Sequence, residues 1–132
     1  MKHTFFKYQG TGNDFVMIDN RLSIFDKNKT KLIALLCDRR FGIGADGLIL
    51  LENDETADFK MVYFNADGNE SSMCGNGGRC ITHFANYLEI INKEATFVAI
   101  DGLHKAKIVK DEIHLQMQDV SDIKNNDDFV FL

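Results

Sequence analysis

The sequence contains no proline and only three cysteines in 132 residues. It also lacks low-complexity segments and internal repeats, which sets aside repeat arrays and unstructured tails. The cysteines, Cys37, Cys74 and Cys80, are odd in number and have no framework spacing. A disulfide scaffold is therefore not expected; reduced thiols in a cytoplasmic protein are. No apolar run approaches the length of a membrane span, and the start, Met1-Lys2-His3-Thr4-Phe5-Phe6-Lys7, lacks the apolar core of a signal peptide. No membrane partner is expected. Net charge is -5 and no Lys/Arg run stands out, which argues against a nucleic-acid partner. The four histidines, His3, His83, His104 and His114, form no i,i+4 pair, Cys74 and Cys80 lie six apart, and Cys37 is remote. No metal site is expected from such spacing. Neither a serine nucleophile elbow nor a phosphate-binding P-loop is present.

What is present can build one compact domain, since 45% of residues are hydrophobic. Residues 4–8 and 15–19 read as short strands around the turn Gln9-Gly10-Thr11-Gly12-Asn13-Asp14. That turn is a plain hairpin connection or a loop presenting Asn13 to a ligand. Asn28 or Thr30 can cap a helix carrying Leu32, Ile33, Leu35 and Leu36, ending near Arg39 and Arg40. The run Gly42-Ile43-Gly44-Ala45-Asp46-Gly47 matches the spelling of the dinucleotide fingerprint, but that motif needs a strand before it and a helix after it. Here the order is reversed, so the glycines are read as turning the chain from helix to the strand at 48–51. Residues 60–64 alternate as a strand, and Asn65-Ala66-Asp67-Gly68-Asn69 is a strong turn signal. Further strands are expected at 96–100, 106–109 and 113–117. The acidic stretch 120–128 reads as a linker before a terminal strand at 129–132. That strand is either an edge strand pairing back onto the sheet or the start of something further.

The most informative stretch is Cys74-Gly75-Asn76-Gly77-Gly78-Arg79-Cys80. After it Cys80, Ile81, Phe84, Ala85, Leu88 and Ile91 recur at helical spacing, so the glycines sit where a helix begins. The first N–H groups of a helix have no internal partner and carry partial positive charge. A thiol there ionises more readily, the same N–H groups can hold a carboxylate, and glycine lets a ligand approach the backbone. A reactive thiol beside an anion pocket is one reading; a buried cysteine near a Gly-rich turn is the other. Cys80 and Cys37 fall on apolar helix faces and are read as core. Arg79 could bind an anion or pair with a neighbouring carboxylate, and Glu70 could order the loop before Cys74.

Four segments together make the chain resemble the N-terminal half of the diaminopimelate epimerase family. They are Gly10-Thr11-Gly12-Asn13-Asp14-Phe15, Asp38-Arg39-Arg40-Phe41-Gly42-Ile43-Gly44-Ala45-Asp46-Gly47, Phe64-Asn65-Ala66-Asp67-Gly68, and Cys74-Gly75-Asn76-Gly77-Gly78-Arg79-Cys80. The resemblance implies an α/β fold: a curled, mixed, largely antiparallel sheet around one central helix. In the family two such domains face each other, and no cofactor is used. It implies Cys74 as the first catalytic cysteine, Asn13 and Asn65 as substrate-binding residues, and Gly75 and Asn76 as the loop whose backbone holds the substrate carboxylate. On this reading residues 1–118 are a first epimerase domain, and residues 119–132 are a linker and the opening strand of a second domain absent from the sequence. The partner is a small amino-acid substrate.

One departure stands out. Gly47 occupies a position where some members carry a substrate-contacting glutamine, so that side of the pocket is expected to be wider or filled by another residue. Two other functions remain: a racemase or isomerase of the same superfold, proline-racemase-like or phenazine-biosynthesis-like, and a non-catalytic carboxylate-binding domain. Inverting a stereocentre needs a base on one face of the carbon and an acid on the other. With one thiol of the pair, the chain is expected to be inactive alone, although a homodimer placing two Cys74 helices face to face could restore the chemistry.

Overall fold

A computed structural model describes residues 4–10, 12–72 and 75–116, and the backbone of 129–131. Among these, eight strands form one sheet whose order follows the chain: β1 (Phe6–Gln9), β2 (Asp14–Asp19), β3 (Gly47–Glu52), β4 (Phe59–Asn65), β5 (Glu94–Ala99), β6 (Gly102–Val109), β7 (Glu112–Gln116) and β8 (Phe129–Phe131). Neighbours are antiparallel except β2 with β3 and β4 with β5. A parallel neighbour needs a crossover, and each parallel pair has a helix between its strands: α1 (Thr30–Cys37) and α2 (Gly75–Tyr87). The mixed, largely antiparallel α/β sheet around one central helix is the architecture expected.

Alternation along the strands divides the core in two. Phe15, Met17, Ile49, Leu51, Phe59 and Met61 face α2, together with Phe97, Ala106 and Leu115 from the later strands. Val16, Ile18, Leu48, Leu50, Val62 and Phe64 point the other way and are covered by Ile33 and Cys37 of α1 and by Phe25. A strand covered on both faces reads as a continuous apolar run, which is what Leu48 to Leu51 shows. α2 turns Cys80, Ile81, Phe84 and Ala85 inward. Phe84 meets Phe6 at 5.0 Å and Tyr8 at 5.8 Å between ring centroids, so β1 touches the same helix that β7 packs on. Burying a side chain of this size contributes about 1.5–3 kcal/mol. The three glycines of α2 disfavour a helix by about 1 kcal/mol each, so packing rather than propensity holds its first turn.

Several boundaries differ from expectation. α1 ends at Cys37, short of the arginines, because Asp38 is extended and its Oδ1 accepts from the N–H groups of Arg40 and Phe41. Neither Asn28 nor Thr30 caps it; Lys29 holds that position and no side chain bonds the free N–H groups. α2 stops at Tyr87, although the apolar pattern runs to Ile91. Ile90 donates its N–H to Ala85 O at 2.9 Å, and Ile91 fills the core from a loop. The turn between β6 and β7 is centred on Lys110 and Asp111, both with positive φ. Among the described residues no helix is long and apolar enough to cross a membrane. Most of the expected linker at 119–132 lies outside the described residues; the backbone at its end, β8, pairs antiparallel with β7.

Candidate functional site

The starts of β2 and β3 and the end of β4 lie at one end of the sheet. A turn leads into β2: Gly10 N–H donates to Asn13 O at 2.7 Å, and Gly12 takes a φ of +85° that glycine accepts at little cost. Asn13 Nδ2 donates to Asp46 Oδ2 at 3.2 Å, and Asp14 N–H donates to the same oxygen at 3.1 Å. In return Asp46 N–H donates to Asp14 Oδ1 at 3.0 Å. Arg39 grips Asp14 with both terminal nitrogens, at 3.1 and 2.9 Å, and reaches Asp46 Oδ1 at 3.0 Å. Lys7 adds a 3.3 Å ion pair to Asp14. Hydrogen bonds from Arg39 hold the Asp14 carboxyl well below the usual carboxylate range, against a smaller opposing effect of burial. The same bonds raise the Arg39 guanidinium above its ordinary value. The two strand starts are thereby locked together by charge.

The first turn of α2 meets this assembly. Asn76 Nδ2 donates to Asn13 Oδ1 at 2.7 Å, joining residues 63 apart in sequence. The approach is close at position 10: a Cβ there would lie 3.1 Å from Asn76 Cβ, so Asn76 would have to give by a few tenths of an ångström. Arg79 donates to Asn76 Oδ1. Among the described residues, nothing lies within 4 Å of where a Cβ on Gly75, the first residue of α2, would be.

Asn65 is the last residue of β4 and lies opposite Gly47. Its N–H and C=O close the following turn, bonding Asn69 O and Gly68 N–H at 2.9 Å each. Glu70 forms a β-bridge back to Phe64, so this residue does order the loop before α2. Gly47 is not a widened pocket wall. A Cβ there would lie 2.7 Å from the Tyr63 ring and 2.9 Å from its hydroxyl, so Tyr63 occupies the space.

The structure thus joins Asn13 directly to Asn76, with Gly75 next to Asn76, and sets Asn65 at the same end of the sheet. Cys74 precedes α2 and lies outside the described residues. Cys37 and Cys80 are buried thiols in no disulfide, and burial pushes the Cys37 thiol up to about 11. Sequence reasoning missed Asp14, Arg39, Asp46 and Tyr63. Their signal was available: three charges and an aromatic inside or beside the recognised segments, flanking the site residues.

A hollow of about 570 Å³ lies between β1, α2 and the turn before β7, lined by residues including Tyr8, Gly10, Arg79, Cys80 and His83. Tyr8 Oη and His83 Nδ1 are 3.0 Å apart, and burial pushes the Tyr8 phenol up to about 12.

A family profile for diaminopimelate epimerase matches residues 5–124. The chain belongs to the diaminopimelate epimerase family. It is 65% identical over 128 residues to a diaminopimelate epimerase of Flavobacterium psychrophilum, covering 96% of this chain and 50% of that one. With the diaminopimelate epimerase of Chlorobaculum tepidum it shares 47% over 119 residues, covering 88% of this chain and 46% of the relative. The chain therefore spans about half the length of these epimerases. Solved structures show the same fold at much lower identity. A phenazine biosynthesis protein of the PhzF family from Enterococcus faecalis matches with a TM-score of 0.69 at 13% identity, covering 87% of this chain and 44% of that one. A probable proline racemase from Agrobacterium radiobacter matches with a TM-score of 0.62 at 14% identity, covering 86% and 41%. All four epimerase segments lie inside the matched region, and residues of all four lie at the end of the sheet described above.

Proposed function

We propose that this chain is the first half of a cofactor-independent epimerase that interconverts LL- and meso-diaminopimelate, a step toward lysine and peptidoglycan precursors. Cys74 supplies the acid or base on one face of the α-carbon. Asn13 and Asn65 bind the substrate, and the backbone N–H groups of Gly75 and Asn76 hold the carboxylate at the reacting carbon. The observation that carries this reading is the Asn13–Asn76 hydrogen bond, which brings the loop before β2 onto the first turn of α2, a helix that begins at Gly75, the residue after Cys74 in sequence.

The chemistry follows from those parts. The α-proton of an amino acid is weakly acidic, so charge developing on the carboxylate must be stabilised as the proton leaves. Oriented N–H groups at a helix start can supply this without a cofactor. A thiol suits the proton transfer because its pKa can be set near working pH. A second thiol is needed on the opposite face, and we assign it to a second domain reached through residues 119–132, residues 1–118 forming the first. A homodimer with two Cys74 helices face to face is the alternative source. Cys37 and Cys80, reduced rather than in a disulfide, support a cytoplasmic location.

The test is an amide-resolved NMR titration with meso-diaminopimelate. Signals of Asn13, Asn65, Gly75 and Asn76 should shift together and saturate, while equimolar proline leaves them in place. Shifts with proline but not diaminopimelate would move the assignment to another substrate of the superfold.

A further inference from the structure

Asparagine is an ambiguous ligand, because its amide can present a donor or an acceptor depending on how it is turned. In this site the ambiguity is removed. Arg39 donates to Asp46, Asn13 Nδ2 donates to Asp46, Asn76 Nδ2 donates to Asn13 Oδ1, and Arg79 donates to Asn76 Oδ1. A carboxylate can only accept and a guanidinium can only donate, so a chain with these two ends has one direction. Asp46 stands at its accepting end, pinned from behind by Arg39 and by the N–H of Asp14.

We infer that Asp46 is a positioning residue: it fixes the Asn13 amide so that its second Nδ2 proton faces a substrate acceptor such as a carboxylate. Asp46 need not touch the substrate to do this. The inference rests on the reading of Asn13 as a substrate ligand given above.

The decisive variant is Asp46→Asn, nearly equal in size. Its single oxygen is drawn to the Arg39 cation, because hydrogen bonds to charged groups are the stronger ones. The new NH2 then faces both Asn13 Nδ2 and the Asp14 N–H, donor against donor. Asn13 turns over, and its oxygen no longer accepts from Asn76.

Two measurements test this on the 132-residue chain. The first is the side-chain amide signal of Asn13 without ligand, assigned by its loss in Asn13→Ser. It should shift in Asp46→Asn while backbone amides of β3 and β4 stay in place. An unmoved Asn13 signal would overturn the inference. The second is the dissociation constant for meso-diaminopimelate, which should rise about tenfold in Asp46→Asn, the loss of one charge-assisted contact. An unchanged constant would also overturn it. The double variant Asn13→Asp with Asp46→Asn separates positioning from simple structural support. It restores a bond between positions 13 and 46 and an acceptor for Asn76, but leaves position 13 without an N–H. Thermal stability should recover relative to Asp46→Asn while binding does not; recovery of both would reduce Asp46 to a structural brace. If the unaltered chain fails to bind diaminopimelate, the substrate reading falls, and the ligand-free signals still decide whether Asp46 orients Asn13.

Discussion

Tyr63 fills the space that a side chain at Gly47 would need. A Cβ on Gly47 would lie 2.7 Å from the Tyr63 ring and equally close to Phe64 O, closer than real contacts permit. The ring can swing aside, but the carbonyl belongs to the strand that Gly47 pairs with. Gly47→Ala should therefore destabilise the chain by about 1–3 kcal/mol, as overpacking does. Gly47→Ala combined with Tyr63→Ala should recover only part of that loss. Urea denaturation of the three variants would decide; a Gly47→Ala variant within about 0.5 kcal/mol of the parent would mean the strand yields freely.

The Asp14–Arg39 pair predicts a response to acid. Arg39 holds the folded Asp14 below its ordinary value, so between those two values the unfolded chain binds the proton more readily. The stabilisation is fully present above about pH 4, the ordinary aspartate value, and is lost as pH falls below it. The midpoint of unfolding should fall with acidification in the parent, and Arg39→Ala should flatten that dependence. An equal slope in both would remove Asp14 as the source.

Thiol chemistry should separate the three cysteines. Cys37 and Cys80 are buried, and desolvation keeps Cys37 protonated near neutral pH. Limiting iodoacetamide on the folded chain should label Cys74, the residue before α2 in sequence, first, with the other two reacting only after unfolding. Mass mapping that found Cys80 or Cys37 labelled ahead of Cys74 would sink its assignment as the reactive thiol.

Activity should be absent from the chain by itself. A single thiol removes and returns the proton on one face, which regenerates the starting isomer. Incubation with the LL isomer, followed by chiral chromatography, should give no meso product. Ordinary turnover that vanishes in Cys74→Ala would show that one half suffices, through self-association or otherwise.

Much of the sheet was legible because alternation and apolar runs report burial directly. Leu48 to Leu51 and the alternating residues 60–64 were placed within a residue or two of β3 and β4. The start of α2 at Gly75 followed from glycines before a helical pattern. Its end did not, because Ile91 must be apolar to fill the core whether or not the chain is still helical there. Pairing of strands distant in sequence was beyond reach as well. The site shows the same division. Asn13 and Asn76 are singled out by residue type and motif, whereas nothing in the residue types of Asp46 and Arg39 assigns them a part in the site. Only the pairing of β2 with β3, brought about through α1, sets Asp46 beside Asn13. The role of Tyr63 was hidden for a similar reason: it depends on what its neighbour across the strand lacks.

The strand order, identical to the order along the chain, also has a bearing on synthesis. Each new strand emerges to find its partner already made, so β1 to β4 can pair as they leave the ribosome. The helix that covers Phe15, Met17, Ile49, Leu51, Phe59 and Met61 comes only afterwards. For residues 13 and 76 the interval is on the order of 3–13 seconds at usual translation speeds. During it a greasy, half-built sheet face waits uncovered, which is the period in which a nascent-chain chaperone would find the most to hold.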